Sequence, residues 1–308
     1  MTKSRKTRAL AVTGGTGFVG QHLLRLARDA AYEVRALTRG WKPPEDGIDW
    51  VDGALDRPDS LLKLAADTDC VIHVAGVVNG SKAAFEAANV TGTAAMVDAA
   101  RRAGVRRFVH ISSLAAREPQ LSHYGWSKSR SERIVAASGL DWTIIRPPAV
   151  YGPGDRETLE LFRMARRGFV ALPPGGHFSV IHVEDLCRLI LAVIDEPDTV
   201  AETYEPDDGS ERGWQHRHFA RSLGRVFGKR ATTVAMPRLL LHGLSRVDRL
   251  LRRGGAKLTT DRVNYFCHPD WVVTAERRPP ATLWQPRIRT AAGLRETADW
   301  YQSRGWLR

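Results

Sequence analysis

Three glycines near the N-terminus constrain the fold of this 308-residue chain more than any other feature. Gly14, Gly17 and Gly20 follow the spacing G-x-x-G-x-x-G, between an apolar run at 10–12 and a helical apolar pattern at 23–27. Between a strand and a helix, such glycines permit a tight turn, a close approach to a pyrophosphate and close helix–strand packing. The helix N-terminus then offers free N–H groups and a positive dipole end to the anion. The sequence therefore predicts dinucleotide binding at this loop.

Beyond the loop, apolar runs that predict strands alternate with patterns that predict helices. This alternation is typical of βαβ crossovers, which build a parallel sheet with helices on both faces. We therefore predict an α/β fold, a Rossmann-type doubly wound parallel sheet with a smaller C-terminal substrate-binding lobe. The dinucleotide-binding domain is predicted at 1–150, and 151–308 is mostly substrate-binding lobe, with some strands and helices returning to the first domain. The predicted strands are 10–13, 34–37, 71–74, 108–111, 143–145 and 178–182, and the later predicted helices are 61–66, 83–103, 127–137, 186–194, 214–226, 239–251 and 290–303.

The formal net charge of +12 is unevenly distributed along the chain. Residues 1–211 contain 26 Lys and Arg against 28 Asp and Glu, whereas residues 212–308 contain 20 against 6. An anionic substrate, a nucleic acid or membrane surface, and plain solubility are three competing explanations. The arginines of the C-terminal third are not interleaved with aromatic residues in a recognisable binding motif. We therefore expect a small-molecule substrate, with an anionic one as a candidate, and no nucleic-acid partner.

The sequence carries no membrane, disulfide or metal signature. No stretch approaches the ~20 consecutive apolar residues of a membrane helix, and the run at 9–12 is too short for the core of a signal peptide. Cys70, Cys187 and Cys267 lie far apart and form no CxxC pair. We expect a cytoplasmic protein with no membrane partner and no metal.

The end of the second predicted strand bears on the choice of cofactor. NAD sites usually place an acid there, which bonds the ribose 2′-hydroxyl, whereas an arginine suits the 2′-phosphate of NADP. Here the strand ends in Thr38 and Arg39. A guanidinium binds a phosphate through two hydrogen bonds and stacks on adenine, although an arginine at a strand end can also simply face solvent. We expect NADP, with NAD less favoured.

Tyr124 and Lys128 are four residues apart, which places them on one face of a helix about one turn apart. A nearby ammonium favours the phenolate and lowers the pKa of a tyrosine, which suits Tyr124 to proton transfer. Ser112 and Ser113 end the preceding strand, the position from which a hydroxyl would hold a substrate oxygen beside that tyrosine. A tyrosine and a lysine four residues apart occur often by chance. Together with the glycine loop and the strand-end serines, this pair is a more specific indication of a catalytic site than the spacing alone.

Together these motifs resemble the extended short-chain dehydrogenase/reductase family, in its NAD(P)-dependent epimerase/dehydratase-like branch. The resemblance runs from about residue 8 to residue 200, and rests on residues 13–20, 74–76, 89–93, 112–113, 124–128, 146–152 and 182–185. It implies that Tyr124 transfers the proton, Ser113 binds the reacting carbonyl, and Lys128 holds the nicotinamide ribose and lowers the tyrosine pKa. It also implies that Asn89 supports the site and that the segment after Pro147 packs against the nicotinamide. The cofactor contacts that it implies are Gly14, Thr16, Gly17, Phe18, Val19, Gly20, Thr38, Arg39, Leu55, Ala75, Gly76, Lys128, Pro147, Ala149 and Val150.

Two departures from the family pattern matter. Residues 53–55 read Gly-Ala-Leu and lack the aspartate that often lies near adenine, so that contact must come from backbone or from Arg39. Leu114 and Ala115 follow Ser113 where dehydratases of this family have acids, which argues against water elimination.

Three functions remain open. The favoured one is an NAD(P)-dependent oxidoreductase, using NADPH, that interconverts a carbonyl and a secondary alcohol by hydride transfer with Tyr124 as acid/base. The second is a sugar-nucleotide epimerase with tightly bound NAD, which the basic C-terminal third would suit. The third is a non-catalytic NADP-binding or assembly protein, against which the Ser113, Tyr124 and Lys128 set argues. Members of the family that the chain resembles often dimerise through the two helices that correspond to 83–103 and 124–137. The resemblance therefore implies a homodimer, and the alanine-rich face of the first helix suits close packing.

Overall fold

A seven-stranded parallel sheet forms the centre of the protein. The computed structural model describes residues 8–173, 175–237, 239–240, 243 and 260–307, so the helix predicted at 239–251 lies mostly outside the described residues. The strands are β1 Ala9–Thr13, β2 Glu33–Thr38, β3 Ile48–Asp52, β4 Cys70–His73, β5 Arg107–Ile111, β6 Asp141–Ile145, β7 Ala149–Tyr151, β8 Phe169–Leu172, β9 His177–Phe178, β10 Val180–His182, β11 Glu202–Tyr204, β12 Trp214–Gln215, β13 Thr232–Ala235 and β14 Asp270–Trp271. The central sheet has the order β3-β2-β1-β4-β5-β6-β11, with every neighbouring pair parallel. The order reverses between β1 and β4, the position where such sheets bind ligands at the carboxyl ends of their strands.

Helices cover both faces of this sheet, which confirms the predicted doubly wound architecture. They are α1 Phe18–Asp29, α2 Pro58–Ala65, α3 Lys82–Phe85, α4 Gly92–Arg102, α5 His123–Ala136, α6 Leu159–Arg166, α7 Val183–Ala192, α8 His216–Val226, α9 Thr260–Phe266 and α10 Thr290–Ser303. One apolar core joins the sheet to α1 and α7, and a second joins its other face to α2 and α4. A π-helical segment, Glu86–Thr91, connects α3 to α4.

The elements after residue 148 are less regular. They form three small sheets, β7 with β10, β9 between β12 and β14, and β8 with β13, while β11 joins the edge of the central sheet. Two predicted elements were wrong here. The strand predicted at 178–182 is two strands, because Ser179 leaves the ladder and its backbone N–H donates to Trp271 O at 3.0 Å. The helix predicted at 214–226 begins at His216, because the two residues before it pair with β9 as β12.

Candidate active site

The glycine loop lies at the carboxyl end of β1, where the strand order reverses. Gly14 has a φ of +75°, and a Cβ there would lie 2.7 Å from the backbone N of Ala75. A Cβ at Gly20 would overlap the backbone of Gly14, which explains the close packing of α1 on the turn. Gly17 precedes α1 and gives no side chain to the N–H groups of its first turn. Those groups and the positive helix end therefore fit the pyrophosphate of a dinucleotide.

The residues after β4 lie beside this loop, because β1 and β4 are hydrogen-bonded neighbours. Ala75 contacts Gly14 as described above, and a Cβ at Gly76 would lie 2.9 Å from Asn89 Oδ1 and 3.5 Å from Lys128 Nζ. Gly76 thus connects the glycine loop to the residues predicted to act in catalysis. The remaining predicted contacts from the start of α1 are Thr16, Phe18 and Val19.

Thr38 and Arg39 lie at the end of β2, one buried and the other exposed. The Thr38 hydroxyl donates to Gly40 O at 2.8 Å and fixes the turn. Arg39 makes no hydrogen bond or ion pair with any residue that the structure describes, so its guanidinium is available to a ligand. Leu55 packs against Gly92 at the start of α4, where a Cβ would lie 2.7 Å from its Cδ1.

The segment after β6 reaches the same edge of the sheet. Pro147 O accepts a hydrogen bond from Leu114 N at 3.0 Å, which holds this segment against the turn that follows Ser113. Ala149 is exposed, and Val150 is half-buried against the core. Each of the predicted cofactor contacts therefore lies near the carboxyl end of a strand.

Ser113, Tyr124 and Lys128 come together beyond the carboxyl end of β5. Ser113 is buried, and its hydroxyl oxygen accepts a hydrogen bond from Ala115 N at 3.2 Å. The same hydroxyl lies near that of Tyr124 and lowers the pKa of the phenol. Lys128 Nζ donates to the backbone O of Ile111, the last residue of β5, at 2.8 Å. The tyrosine and the lysine both belong to α5, whose N-terminus is capped by Ser122 Oγ at 2.9 Å from a backbone N–H of the first turn.

The pKa of Tyr124 is raised, which is the opposite of the direction predicted from its spacing to Lys128. Burial is the largest cause of the raised pKa, the nearby Ser113 hydroxyl lowers the pKa, and the negative charge of Glu157 raises it again. The phenol is therefore protonated at neutral pH, the form that can donate a proton to a carbonyl oxygen. Burial also lowers the pKa of Lys128 to about 8, although Glu132 acts against this shift.

Asn89 lies in the π-helical segment and is buried. Its Nδ2 donates to Ser127 Oγ at 2.9 Å and to Val77 O at 3.0 Å, while its Oδ1 accepts from Val77 N at 2.8 Å. These bonds join α5 to the segment after β4, as a supporting residue would. Helical turns of this π type often occur at functional sites.

A chain of hydrogen bonds behind Asn89 determines the tautomer of His73. The Thr93 hydroxyl donates to Asn89 O at 2.7 Å, so its oxygen is left to accept from His73 Nε2 at 3.1 Å. The other ring nitrogen, Nδ1, then accepts from the Thr13 hydroxyl at 2.7 Å. Burial lowers the pKa of His73 to about 3, so the ring is neutral and supports the π-helical segment rather than exchanging protons.

Ser112 and Ser113 have different surroundings. The sequence had left open which of the two serines would bind the substrate oxygen. Ser112 Oγ donates to Glu132 Oε1 at 2.5 Å, and Glu132 accepts two hydrogen bonds from Arg146 at 2.8 and 2.7 Å. Arg146 Nη1 also lies 3.3 Å from Glu205 Oε1, and Glu205 is fully buried. Ser112 therefore belongs to a buried ionic network, which leaves Ser113 as the hydroxyl beside the tyrosine.

Aromatic residues cover Tyr124. Phe85 from α3 and Tyr265 from α9 have ring centroids 5.9 and 6.5 Å from that of Tyr124. Trp271 packs behind Tyr265 at 4.7 Å. Asp261 Oδ1 accepts from the first backbone N–H of α5 at 2.7 Å, which fixes α9 over the start of α5. We call Phe85, Tyr265 and Trp271 the aromatic cover.

Sequence reasoning missed Glu132, Glu205 and Tyr265. The spacing of Glu132 four residues after Lys128 was an available signal, because it predicts the same helix face. The other two are distant in sequence from every motif, and only the fold brings them to the site. Among the described residues, no cluster of His, Cys, Asp and Glu could hold a metal ion, and no helix has the length and apolar character to cross a membrane.

A glycine loop at the switch point of a parallel sheet, with a Ser–Tyr–Lys set beside it, defines an NAD(P)-dependent enzyme of the dehydrogenase/reductase class. The chain belongs to the NAD dependent epimerase/dehydratase family, whose model matches residues 10–205, and thus to the extended short-chain dehydrogenases/reductases.

Curated relatives include both reductases and epimerases. The chain is 34% identical to a ceramide reductase of Caulobacter vibrioides, over 97% of this chain and 96% of that protein. It is 28% identical to a UDP-glucose 4-epimerase of Vibrio cholerae, over 66% of this chain and 72% of that protein. Among solved structures, gox2253 superposes with a TM-score of 0.79 at 22% identity, covering 98% of this chain and 99% of that one, which shows the shared fold.

Proposed function

We propose that this protein is an NADPH-dependent reductase that converts a ketone on a lipid-like substrate into a secondary alcohol. The observation that carries the proposal is the aromatic cover over Tyr124. A substrate carbonyl at the Tyr124 hydroxyl would extend past apolar rings, which suit a hydrocarbon chain better than a sugar. The full-length similarity to a ceramide reductase supports the same class of substrate.

The reaction needs a hydride and a proton, and this chain would supply the proton. Bound NADPH supplies the hydride to the carbonyl carbon. Ser113 would hold the carbonyl oxygen by a hydrogen bond, and the Tyr124 hydroxyl would donate its proton to that oxygen. Lys128 would bind the nicotinamide ribose, and its positive charge would stabilise the phenolate left on Tyr124. Arg39, exposed and without a partner among the described residues, would bind the 2′-phosphate.

A sugar-nucleotide epimerase is the second candidate, favoured by the relatives that carry that name. The two functions differ in how the cofactor is held, because an epimerase must oxidise and re-reduce one substrate without releasing its nucleotide. Protein that retains NAD through purification and converts a UDP-sugar would support the epimerase and contradict the reductase.

The test of the reductase is NADPH oxidation by purified protein that has been freed of nucleotide. We expect turnover of a 3-oxo-ceramide in detergent micelles and none of UDP-glucose. Tyr124→Phe should lower turnover by about 10²- to 10⁴-fold, the usual contribution of a general acid, with NADPH affinity retained. Tyr204→Phe, which changes a buried tyrosine outside the site, is the matched control. Full activity of Tyr124→Phe would refute its role, and NADPH binding without turnover of any ketone would favour a non-catalytic protein.

A further inference from the structure

The small sheet formed by β8 and β13 has one face packed inside the protein and one face open. Thr232 pairs with Phe169 and Val234 with Ala171, so these four side chains share a face. Phe169 is 37% and Val234 43% exposed, and Thr232 is also exposed, whereas Val170, on the opposite face, is fully buried. The open face is therefore mostly apolar.

The chain after β13 adds to the apolar surface. Leu239 is 87% and Leu240 50% exposed, whereas the other leucines that the structure describes are buried or half-buried. Leu239 is four residues beyond Ala235, so chain length alone keeps its Cα within about 14 Å of the end of β13. We call Phe169, Ala171, Val234, Leu239 and Leu240 the apolar patch.

Basic residues border one end of this patch. Arg166 and Arg167 precede β8, and Lys229 and Arg230 precede β13, with one residue between each pair and its strand. Because the strands are parallel and in register, Arg167 and Arg230 both lie two residues before the first strand pair, at the amino ends of the two strands, and Arg166 and Lys229 precede them. None forms an ion pair with a described residue.

No acid in the neighbouring sequence offsets this charge. Neither 161–183 nor 212–247 contains a single Asp or Glu, and both stretches flank or include the patch. An apolar surface bordered by uncompensated cations complements a surface that is apolar inside and anionic outside.

We propose that the apolar patch and its basic border dock the protein on an anionic lipid bilayer. The apolar side chains would enter the boundary between headgroups and acyl chains, and the four cations would lie at headgroup level. This goes beyond the proposed reaction and holds whichever carbonyl the site reduces. It gives Lys229 and Arg230, two cations of the basic C-terminal third, a membrane partner, whereas the sequence had indicated no membrane partner.

Two other occupants suit the patch less well. A second copy joined by two-fold symmetry would place the same patch on both subunits, and the two basic borders would repel each other. A nucleic acid would use the cations, but base stacking needs aromatic rings, and the patch offers only Phe169.

Flotation of the full chain with vesicles tests this proposal. We expect binding to vesicles of phosphatidylcholine with phosphatidylglycerol, little binding to phosphatidylcholine alone, and weaker binding at high salt. Arg167→Gln with Arg230→Gln should weaken binding about thirtyfold, since two cations are removed from the surface. Val234→Ser with Leu239→Ser should also weaken it. The controls are Arg57→Gln with Lys63→Gln, two exposed cations outside α4 and α5, and Val200→Ser, an exposed valine. The thermal midpoint and NADPH affinity of each variant verify its fold.

Several results would overturn the proposal. They are absence of binding to anionic vesicles at low salt, equal binding to neutral vesicles, and variants of the patch that bind like the unmodified protein. Dissociation of an oligomer by Val234→Ser with Leu239→Ser would assign the patch to a second copy instead. Binding of an oligonucleotide that depends on the cations but not on the leucine and valine would assign it to nucleic acid. Turnover is not measured in these experiments, so failure of the proposed reaction would not affect them.

Discussion

At the scale of single residues, Lys128 carries a charge that is almost fully buried. Its exposed fraction is 5%, and burial lowers its pKa from 10.5 to about 8. Between these two pKa values the unfolded chain binds a proton that the folded protein has released, so stability rises with pH in that window. Below pH 8 both states are protonated and the full cost of the buried ammonium remains.

We therefore expect Lys128→Met to be more stable than the unmodified protein at pH 7 and to lose that advantage as the pH rises. The difference in free energy of unfolding should shrink by about 2 kcal/mol between about pH 7 and 9.5. Urea unfolding at several pH values measures it. A difference that is constant with pH would show that Lys128 titrates normally in the folded protein.

In our proposal Arg39 determines the choice between NADPH and NADH. Because its side chain is exposed, its substitution should not disturb the fold. Arg39→Gln should weaken NADPH binding by about tenfold or more, because a hydrogen bond to a charged group contributes about 1.5–3 kcal/mol. Binding of NADH should change little, since it has no 2′-phosphate. Calorimetric titration with both nucleotides measures this, and equal losses for the two would mean that Arg39 contacts a part they share.

At the scale of elements, α5 connects the site to the rest of the fold. Tyr124, Lys128 and Glu132 recur every four residues, so one helix face carries the proposed acid, the ammonium and the start of the ionic network. The network continues through Arg146 to Glu205, which also accepts from the backbone N of residue 274 at 2.9 Å. Helix α5 is thus tied to the segment that follows the aromatic cover.

Glu205 is the buried centre of this network, since Arg117 lies 3.3 Å from its other oxygen. Glu205→Gln would leave Arg117 and Arg146 without their shared carboxylate, and we expect a loss of about 3 kcal/mol in the free energy of unfolding. Glu202→Gln, at an exposed position three residues earlier in β11, should change stability little. Urea unfolding compares them, and similar losses in both would contradict a special role for the network.

At the scale of the whole molecule, the expected dimer and the proposed lipid surface use different parts of the protein. α4 and α5 pack side by side on the central sheet, whereas the apolar patch belongs to the small sheet of β8 and β13. The two proposed surfaces therefore do not compete for the same elements.

We expect a dimer mass by light scattering, formed through the outer faces of α4 and α5. Ala94 is exposed on α4, and Ala94→Arg should produce monomers, because a long charged side chain would prevent close helix packing. Ala281→Arg, at an exposed position outside both helices, should leave the mass unchanged. A monomer mass for the unmodified protein would overturn the expectation.

Local patterns in the sequence were enough to predict the class of fold and to identify the main motifs. The glycine loop, the alternation of strands and helices, and the Tyr124–Lys128 spacing depend on neighbours within a few residues, where backbone geometry acts directly. They predicted the doubly wound sheet and the edge at which the candidate residues meet. Boundaries after residue 148 were less accurate, because short strands such as β12 exist only through pairing with distant segments.

The sequence by itself determined that this chain forms a dinucleotide-binding sheet and which residues would gather at its edge. Only the tertiary structure decided the environment of those residues. It separated Ser112 from Ser113 by giving the first a carboxylate partner, and it raised the pKa of Tyr124 through burial and Glu157. It also brought Tyr265 over the site from a distant part of the chain. Burial and long-range contacts arise from the packing of segments that are remote in sequence. The local spacing of residues therefore does not predict them.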